Sequence, residues 1–271
     1  MTVEAAIEKA SDILVRSRNA VVSSGAGMSA ESGIATFRDP GGVWERLDPA
    51  QVGTTAGLLN TLQNNPEPLI SMFHELLDVF ANAEPNAGHE ALYELERMGI
   101  LQTVITQNID NLHQEAGSIK VIEVHGNGFR FRCLSCSTRV AMSRKGLIRD
   151  VRARLDQLTD YSPAVLMDVM PQCDQCGSMM RPDVVMFGEA VQHIPEAYAA
   201  VQSADAMLAL GTSGVVYPAA AFPFEAKKAG APVIVVNPNE NAFDSVSDVY
   251  VPMKAGEALP ALVDNVRRKL G

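Results

Sequence analysis
The chain has 271 residues and carries 22 Lys and Arg against 32 Asp and Glu, a formal charge of −10. That balance argues against a nucleic-acid backbone as the main partner and suits basic partners, lysine-rich protein segments among them. No apolar run approaches the roughly 20 residues that span a bilayer, and the acid-containing amphipathic start MTVEAAIEKASDILVRS lacks the basic and apolar regions of a signal peptide.

Hydrophobic residues make up 47% of the chain, enough for a full core in one large domain or two small ones. Val3, Ala6, Ile7, Ala10, Ile13 and Leu14 recur at helical spacing, and Thr2 is placed to cap that helix. Residues 19–24 (NAVVSS) read as a short buried strand, followed by the glycine-rich GAGMSAESG. Residues 39–83 hold a Pro/Gly-rich loop with the only tryptophan, Trp44, then a helical stretch over 69–80. Regular alternation resumes at Asn86: helix over 89–98 stopped by Gly99, strands over 101–106 and 120–124. After the cysteine segment come a strand over 184–187, a helix over 196–203 and a strand over 206–210. A helix over 218–229, a strand over 233–236 and a closing helix over 257–270 complete the chain. Apolar strands alternating with helices predict an α/β fold, a Rossmann-like parallel sheet covered on both faces. The cysteine segment and residues 39–83 read as two insertions that build a smaller domain.

Gly25-Ala26-Gly27-Met28-Ser29-Ala30 fits G-x-G-x-x-G/A directly after a strand. The two glycines permit a tight turn and close backbone approach to a pyrophosphate, and the helix N-terminus expected behind them supplies N–H donors. A purely structural tight turn explains the same residues. No acidic residue at the end of a second strand follows, as it does in ordinary dehydrogenases; the loop runs on to Phe37-Arg38-Asp39. Thr106-Gln107-Asn108-Ile109-Asp110-Asn111 stands at the carboxyl end of an expected strand, where ligands bind in open α/β sheets. Its polar groups suit a carboxamide, a ribose and a water; a capped turn before a helix near Leu112 is the alternative. His125 directly follows a strand, a setting that favours a general base over the commoner structural histidine. His74, His89, His113 and His193 lack that setting. Gly211-Thr212-Ser213 and Asn237-Pro238-Asn239 also close apolar strands with small or polar groups, so one sheet edge is marked as a crevice for a polar ligand.

All four cysteines fall in two Cys-x-x-Cys pairs, Cys133/Cys136 and Cys173/Cys176. Each pair can grip a metal from one tight turn, and together they complete an S₄ tetrahedron suited to one structural Zn²⁺; two disulfides are the alternative. In the cytoplasm, the expected compartment, paired cysteines more often hold metal. Four thiolates leave no open coordination position, which makes the metal a staple and places the chemistry elsewhere.

Taken together, these segments resemble the sirtuin family of NAD-dependent protein deacylases. The likeness runs through GAGMSAESGIATFR (25–38), TQNIDNLH (106–113), His125-Gly126, both cysteine pairs, RPDVVMFGE (181–189), GTS (211–213) and VNPN (236–239). It implies an NAD-binding domain of residues 1–38, 84–124 and 181–271, with a helical module (39–83) and a zinc-binding module (125–180) forming the small domain. It also implies that NAD phosphates lie on Gly25, Ala26, Gly27 and Ser29, with Gln107, Asn108 and Asp110 at the nicotinamide end. Phe37 and Arg38 would enclose the cofactor. Gly211, Thr212, Ser213, Asn237, Pro238, Asn239 and Ala255 would line the adenosine half. In the implied reaction the acyl-lysine oxygen attacks the nicotinamide ribose and expels nicotinamide. His125 then acts as general base, and the products are lysine and O-acyl-ADP-ribose. Val184, Val185, Met186, Phe187, Gly188 and Glu189 would pair with an acyl-lysine peptide as an added strand. The chain departs from the family pattern at Ala35, Asn111 and Met186, none of which removes a catalytic group. Phe73 and Leu76 stand where desuccinylating members carry a Tyr-x-x-Arg, which implies an apolar acyl pocket without a cation for a succinyl carboxylate. Mono-ADP-ribosyl transfer to protein is the alternative activity, since it shares the cofactor site and His125.

Overall fold
A computed structural model of the chain describes residues 1–36, 48, 52–158, 165, 170–239 and 241–271. Phe37, Arg38 and Trp44 lie outside the described residues. The first helix, α1 (Val3–Arg16), is capped by the Thr2 hydroxyl, which accepts the Ala5 N–H. β1 (Ala20–Ser24) is buried along its whole length. α2 (Thr55–Asn64) and α3 (Glu67–Asn82) come next. α4 (Ala87–Arg97) starts in a capping box in which Asn86 and His89 exchange hydrogen bonds. Then come β2 (Leu101–Thr106), α5 (Leu112–Glu115), β3 (Val121–Glu123), β4 (Gly126–Cys133), β5 (Arg139–Ala141), α6 (Arg144–Leu155) and β6 (Met180–Val184). The last third runs α7 (Ile194–Ser203), β7 (Ala206–Leu210), α8 (Phe222–Lys228), β8 (Val233–Val236), β9 (Val249–Val251) and α9 (Ala255–Leu270). Among the described residues no helix is long and apolar enough to cross a membrane.

Two compact units emerge: residues 1–32, 84–125 and 191–271 form the first, and residues 33–83 and 126–190 the second. The first is a six-stranded sheet in the order β3-β2-β1-β7-β8-β9. All its pairings are parallel. This is the doubly wound order of a Rossmann-like fold, which reverses direction between β1 and β7. Successive residues of a strand face opposite sides, so each strand feeds two cores. On one face Leu14, Leu92, Leu95, Leu259 and Leu262 of α1, α4 and α9 pack on Val22, Val104, Leu208 and Val236. On the other, Ala197, Val201, Phe222 and Ala226 of α7 and α8 pack on Val21, Ile105, Met207 and Val235.

The second unit holds an antiparallel sheet, β5-β4-β6. From Asn127 onward β4 alternates, and Phe129, Phe131 and Cys133 turn into a core shared with Leu147, Ile148 and Met180. The Phe80 ring meets Phe129 edge-on at 5.6 Å. The opposite side carries charge. Asp183 is fully buried, and Arg130 Nε and Arg139 Nε reach its Oδ2 at 2.8 and 2.9 Å.

That pairing corrects one expectation. The sequence places a strand over 184–187 in the parallel sheet, within the NAD-binding domain. The strand is instead Met180–Val184, it pairs antiparallel with β4, and residues 181–190 fall in the second unit. The apolar run VVMF suggests a buried parallel strand, but buried Asp183 finds its compensating cations on β4 and β5, and that fixes where the strand docks.

Candidate active site and metal centre
Ligands of doubly wound sheets bind where the strand order reverses, at the carboxyl ends of the strands. Here that point lies between the ends of β1 and β7. The Gly25 amide donates to Leu210 O (3.0 Å) and the Gly27 amide to Gly211 O (2.8 Å), which stitches the two turns together. A Cβ on Gly27 would sit 2.7 Å from Gly211 Cα. A Cβ on Gly211, whose φ is +54°, would sit 2.4 Å from Met28 N. Only glycine allows this approach. Beyond the turn the structure differs from the sequence expectation. No long helix starts there; two 3₁₀ turns, Ala26–Met28 and Ala30–Ser32, take its place.

Around this turn the Thr106–Asn111 segment builds a closed polar network. Asn108 Nδ2 donates to Gly25 O (3.1 Å) and to Ser29 Oγ (3.0 Å). Ser29 Oγ donates to Asp110 Oδ2 at 2.6 Å, and Asp110 Oδ1 accepts the Leu112 N–H at 3.0 Å. Both Ser29 and Asp110 are buried. Asn108 has thereby spent both amide hydrogens, so Oδ1 is the atom it offers a ligand. Gln107 Nε2 reaches Thr212 Oγ1 at 3.3 Å.

His125 is half-buried just beyond β3. Its Nδ1 lies 3.0 Å from Gln107 O. A carbonyl only accepts, so Nδ1 carries the proton and the lone pair of the neutral ring is on Nε2. Burial pushes the pKa of His125 below the ordinary 6.5, against the opposing effect of the Gln107 bond. The group is therefore a ready proton acceptor at neutral pH.

The adenosine-side positions divide. Thr212 is half-buried and Ser213 exposed, whereas Ala255 is buried at the start of α9. Asn237 donates through Nδ2 to Asn239 O at 2.9 Å, so its amide shapes the Asn237–Asn239 turn. The Gly256 N–H donates to Glu31 Oε2 at 2.7 Å, which ties α9 to the second 3₁₀ turn.

In the second unit, Phe73 is exposed on α3 and Leu76 half-buried. Glu189 Oε2 accepts from Arg181 Nη2 (2.6 Å) and from the Met186 N–H (3.1 Å), and the Phe187 N–H donates to Gly53 O. Glu189 thus closes the Met186–Glu189 turn, whose Gly188 has φ +88°. The four Sγ atoms lie within 4.8 Å of one another. Cys133–Cys176 and Cys136–Cys173 approach to 3.5 Å. A Zn–S bond of about 2.3 Å puts tetrahedral sulfurs about 3.8 Å apart, so the cluster fits one ion. Each Cys-x-x-Cys knuckle is closed by a residue at positive φ, Ser137 (59°) and Gly177 (72°). The Ser135 and Cys136 amides point at Cys133 Sγ, as donors to a thiolate do. Each knuckle's sulfurs approach those of the other rather than forming separate pairs, an arrangement that favours one shared metal over two disulfides.

The Sir2 family model matches residues 25–218 of this chain. An NAD-dependent protein deacylase of Desulfosudis oleivorans is 62% identical over 268 residues, covering 99% of this chain and 98% of the relative. The chain belongs to the Sir2 family. A second such Sir2 relative, the NAD-dependent protein deacylase of Pyrococcus abyssi, is 40% identical over 260 residues, 95% of this chain and 97% of that protein. A Sir2 homologue solved with NAD superposes with a TM-score of 0.79 at 36% identity, covering 97% of this chain and 95% of that one. A Sir2–p53 peptide–NAD⁺ complex superposes at 0.76 and 32% identity, covering 96% and 97%. The Sir2 match begins at Gly25 and spans the glycine turn, His125 and both cysteine pairs. Other residues of this Sir2 chain support the network from below: Ser24 bonds Thr106 and His113, His113 meets His89, and Asn86 pairs with His89 at the start of α4. Their signal was faint, a serine at the end of an apolar strand and histidines at helix starts.

Proposed function
We propose that this protein is an NAD-dependent protein-lysine deacylase that removes acetyl and other uncharged acyl groups. The observation that carries this reading is the arrangement at the sheet reversal: a backbone turn only glycines can form, the Asn108–Ser29–Asp110 network, and a half-buried His125 with its lone pair on Nε2. NAD, when bound, would supply the ribose carbon that takes the acyl-lysine oxygen in place of nicotinamide, and the ribose hydroxyl that finally accepts the acyl group. Ala26, Gly27 and Ser29 line the phosphate turn, Asn108 and Asp110 orient the nicotinamide end, and Thr212, Ser213, Asn237 and Ala255 serve the adenosine half. His125 Nε2 takes the hydroxyl proton that must leave before the acyl group can transfer. Residues 184–189 receive the peptide. Phe73 and Leu76 give the acyl chain an apolar environment with no cation for a succinyl carboxylate. Cys133, Cys136, Cys173 and Cys176 hold one structural Zn²⁺. A metal-binding Cys-x-x-Cys pair of pairs suits a reducing compartment such as the cytoplasm. The test is nicotinamide release from NAD with acetyl-, longer acyl- and succinyl-lysine peptides, with O-acyl-ADP-ribose identified as product. Release independent of acyl-lysine, with ADP-ribosylated protein as product, would replace this reading with mono-ADP-ribosyl transfer. Equal turnover of succinyl and acetyl peptides would refute the pocket assignment.

A further inference from the structure
Beneath the candidate site lies a buried chain of hydrogen bonds. The Asn108 N–H donates to Thr106 Oγ1 at 3.1 Å. Ser24 Oγ donates to the same oxygen at 2.9 Å, and His113 Nε2 lies 3.0 Å from Ser24 Oγ. Ser24 has one proton and gives it to Thr106, so the His113 proton sits on Nε2 and is donated to Ser24. Donation therefore runs in one direction, from His113 through Ser24 to Thr106, where the Asn108 amide also ends. All three side chains are at most 3% exposed.

His113 in turn meets His89, ring centroids 4.8 Å apart. His89 Nδ1 accepts the Asn86 N–H, which puts its proton on Nε2. His89 Nε2 and His113 Nδ1 have no partner although both are buried. Burial holds both rings neutral: His89 is pushed down to about 4 and His113 well below 6.5. A core needed only for packing gains nothing from two orphaned ring nitrogens, since apolar residues of the same shape fill such space at less cost.

We infer that Thr106, Ser24 and His113 are positioning residues for Asn108: the chain anchors its backbone amide so that both side-chain hydrogens fall on Gly25 O and Ser29 Oγ and Oδ1 faces the ligand. The inference rests on the deacylase reading for its consequence in turnover, but not for its geometry.

Thr106→Val keeps the side-chain shape and removes the hydroxyl, and Thr106→Ser restores it. Turnover in acetyl-peptide-dependent nicotinamide release falls about tenfold in Thr106→Val with the peptide KM unchanged, and returns to within about twofold of wild type in Thr106→Ser. Hydrogen exchange at the Asn108 amide accelerates in Thr106→Val and not in Thr106→Ser. Ser24→Ala cuts the chain at another link and reproduces the Thr106→Val pattern, which keeps the test alive should one variant fold poorly. Wild-type turnover and wild-type Asn108 exchange in Thr106→Val, or a loss that serine does not rescue, would overturn the inference. A wild-type protein that releases no nicotinamide would refute the deacylase reading instead, and the Asn108 exchange rates would still decide this one.

Discussion

Lowering the pH from 7 to 5 should destabilise the first unit through its buried imidazoles. His89 has a folded-state pKa of about 4 against 6.5 for the free group. A histidine whose folded pKa is depressed contributes fully above 6.5, and its contribution is lost as pH falls from 6.5 towards the folded value, because only the unfolded chain takes up the proton. At pH 5 the unfolded group is about 1.5 pH units into protonation, which at 1.36 kcal/mol per unit costs roughly 2 kcal/mol. That loss from His89 alone lowers Tm by roughly 4–8 °C, and His113, depressed in the same direction by burial and by the neighbouring His89, adds to it. His125 acts in the same direction. The stabilising carboxylates Asp205 and Glu189 titrate lower, since their unfolded values are 3.8 and 4.5. Acid also weakens thiolate–metal binding in the second unit, so the diagnostic quantity is a difference between proteins. Urea unfolding followed by far-ultraviolet circular dichroism at pH 7 and 5, on wild type and on His113→Phe, isolates it. The variant should show a smaller loss of stability between pH 7 and 5 than wild type, whatever its absolute stability. Equal pH dependence in the two proteins would refute the argument that His113 is buried and neutral.

Other consequences are equally direct. The acid limb of kcat/KM should fall below pH 6.5, because burial favours neutral His125, and His125→Ala should abolish peptide-dependent nicotinamide release; a limb above 6.5 would remove His125 as the base. Gly27→Ala places a methyl 2.7 Å from Gly211 Cα and should cost about 1–3 kcal/mol while weakening NAD binding, as calorimetry would show. Asp183→Asn leaves Arg130 and Arg139 facing a neutral group; because both retain solvent access, the expected loss is about 2 kcal/mol, less than for a fully buried pair, and is read from thermal unfolding. Cys173→Ala should release the metal and lower the melting temperature of the second unit without altering the pH profile assigned to His125; unchanged zinc content and stability would contradict the staple role.

How much of the fold the sequence discloses depends on what each residue type demands of its surroundings. Gly25 and Gly27 were legible because only glycine permits backbone to approach backbone so closely, and Gly211 proved to be the other half of that contact. The Cys-x-x-Cys pairs were legible because thiol spacing encodes geometry locally. The small sheet is written in period-two alternation, Phe129, Phe131 and Cys133 inward against Arg130 and Arg132 outward, inside a segment whose cysteine spacing is the stronger local signal. The strand over 184–187 was misplaced because apolarity alone cannot tell a parallel core strand from one docked by a buried carboxylate. The His89–His113 contact was invisible, since two lone histidines 24 positions apart declare nothing until α4 and α5 bring their rings together.

The polar atoms at the sheet reversal separate into two groups with different tasks. The Gly25 and Gly27 amides, both amide hydrogens of Asn108, the Ser29 hydroxyl and both Asp110 oxygens are engaged with the protein itself. They fix shape, and none of the hydrogens given there can pass to a ligand without breaking a bond already made. His125 Nε2 and Asn108 Oδ1 carry lone pairs on groups whose other atoms are pinned. Each therefore presents an acceptor in a set direction before any ligand arrives, which is the condition under which a positioned group lowers a barrier rather than merely binding. On this division, substitutions among the engaged atoms act through geometry and are rescued by residues that restore the same hydrogen bond. Loss of His125 removes the proton acceptor itself, and no neighbouring bond can replace it.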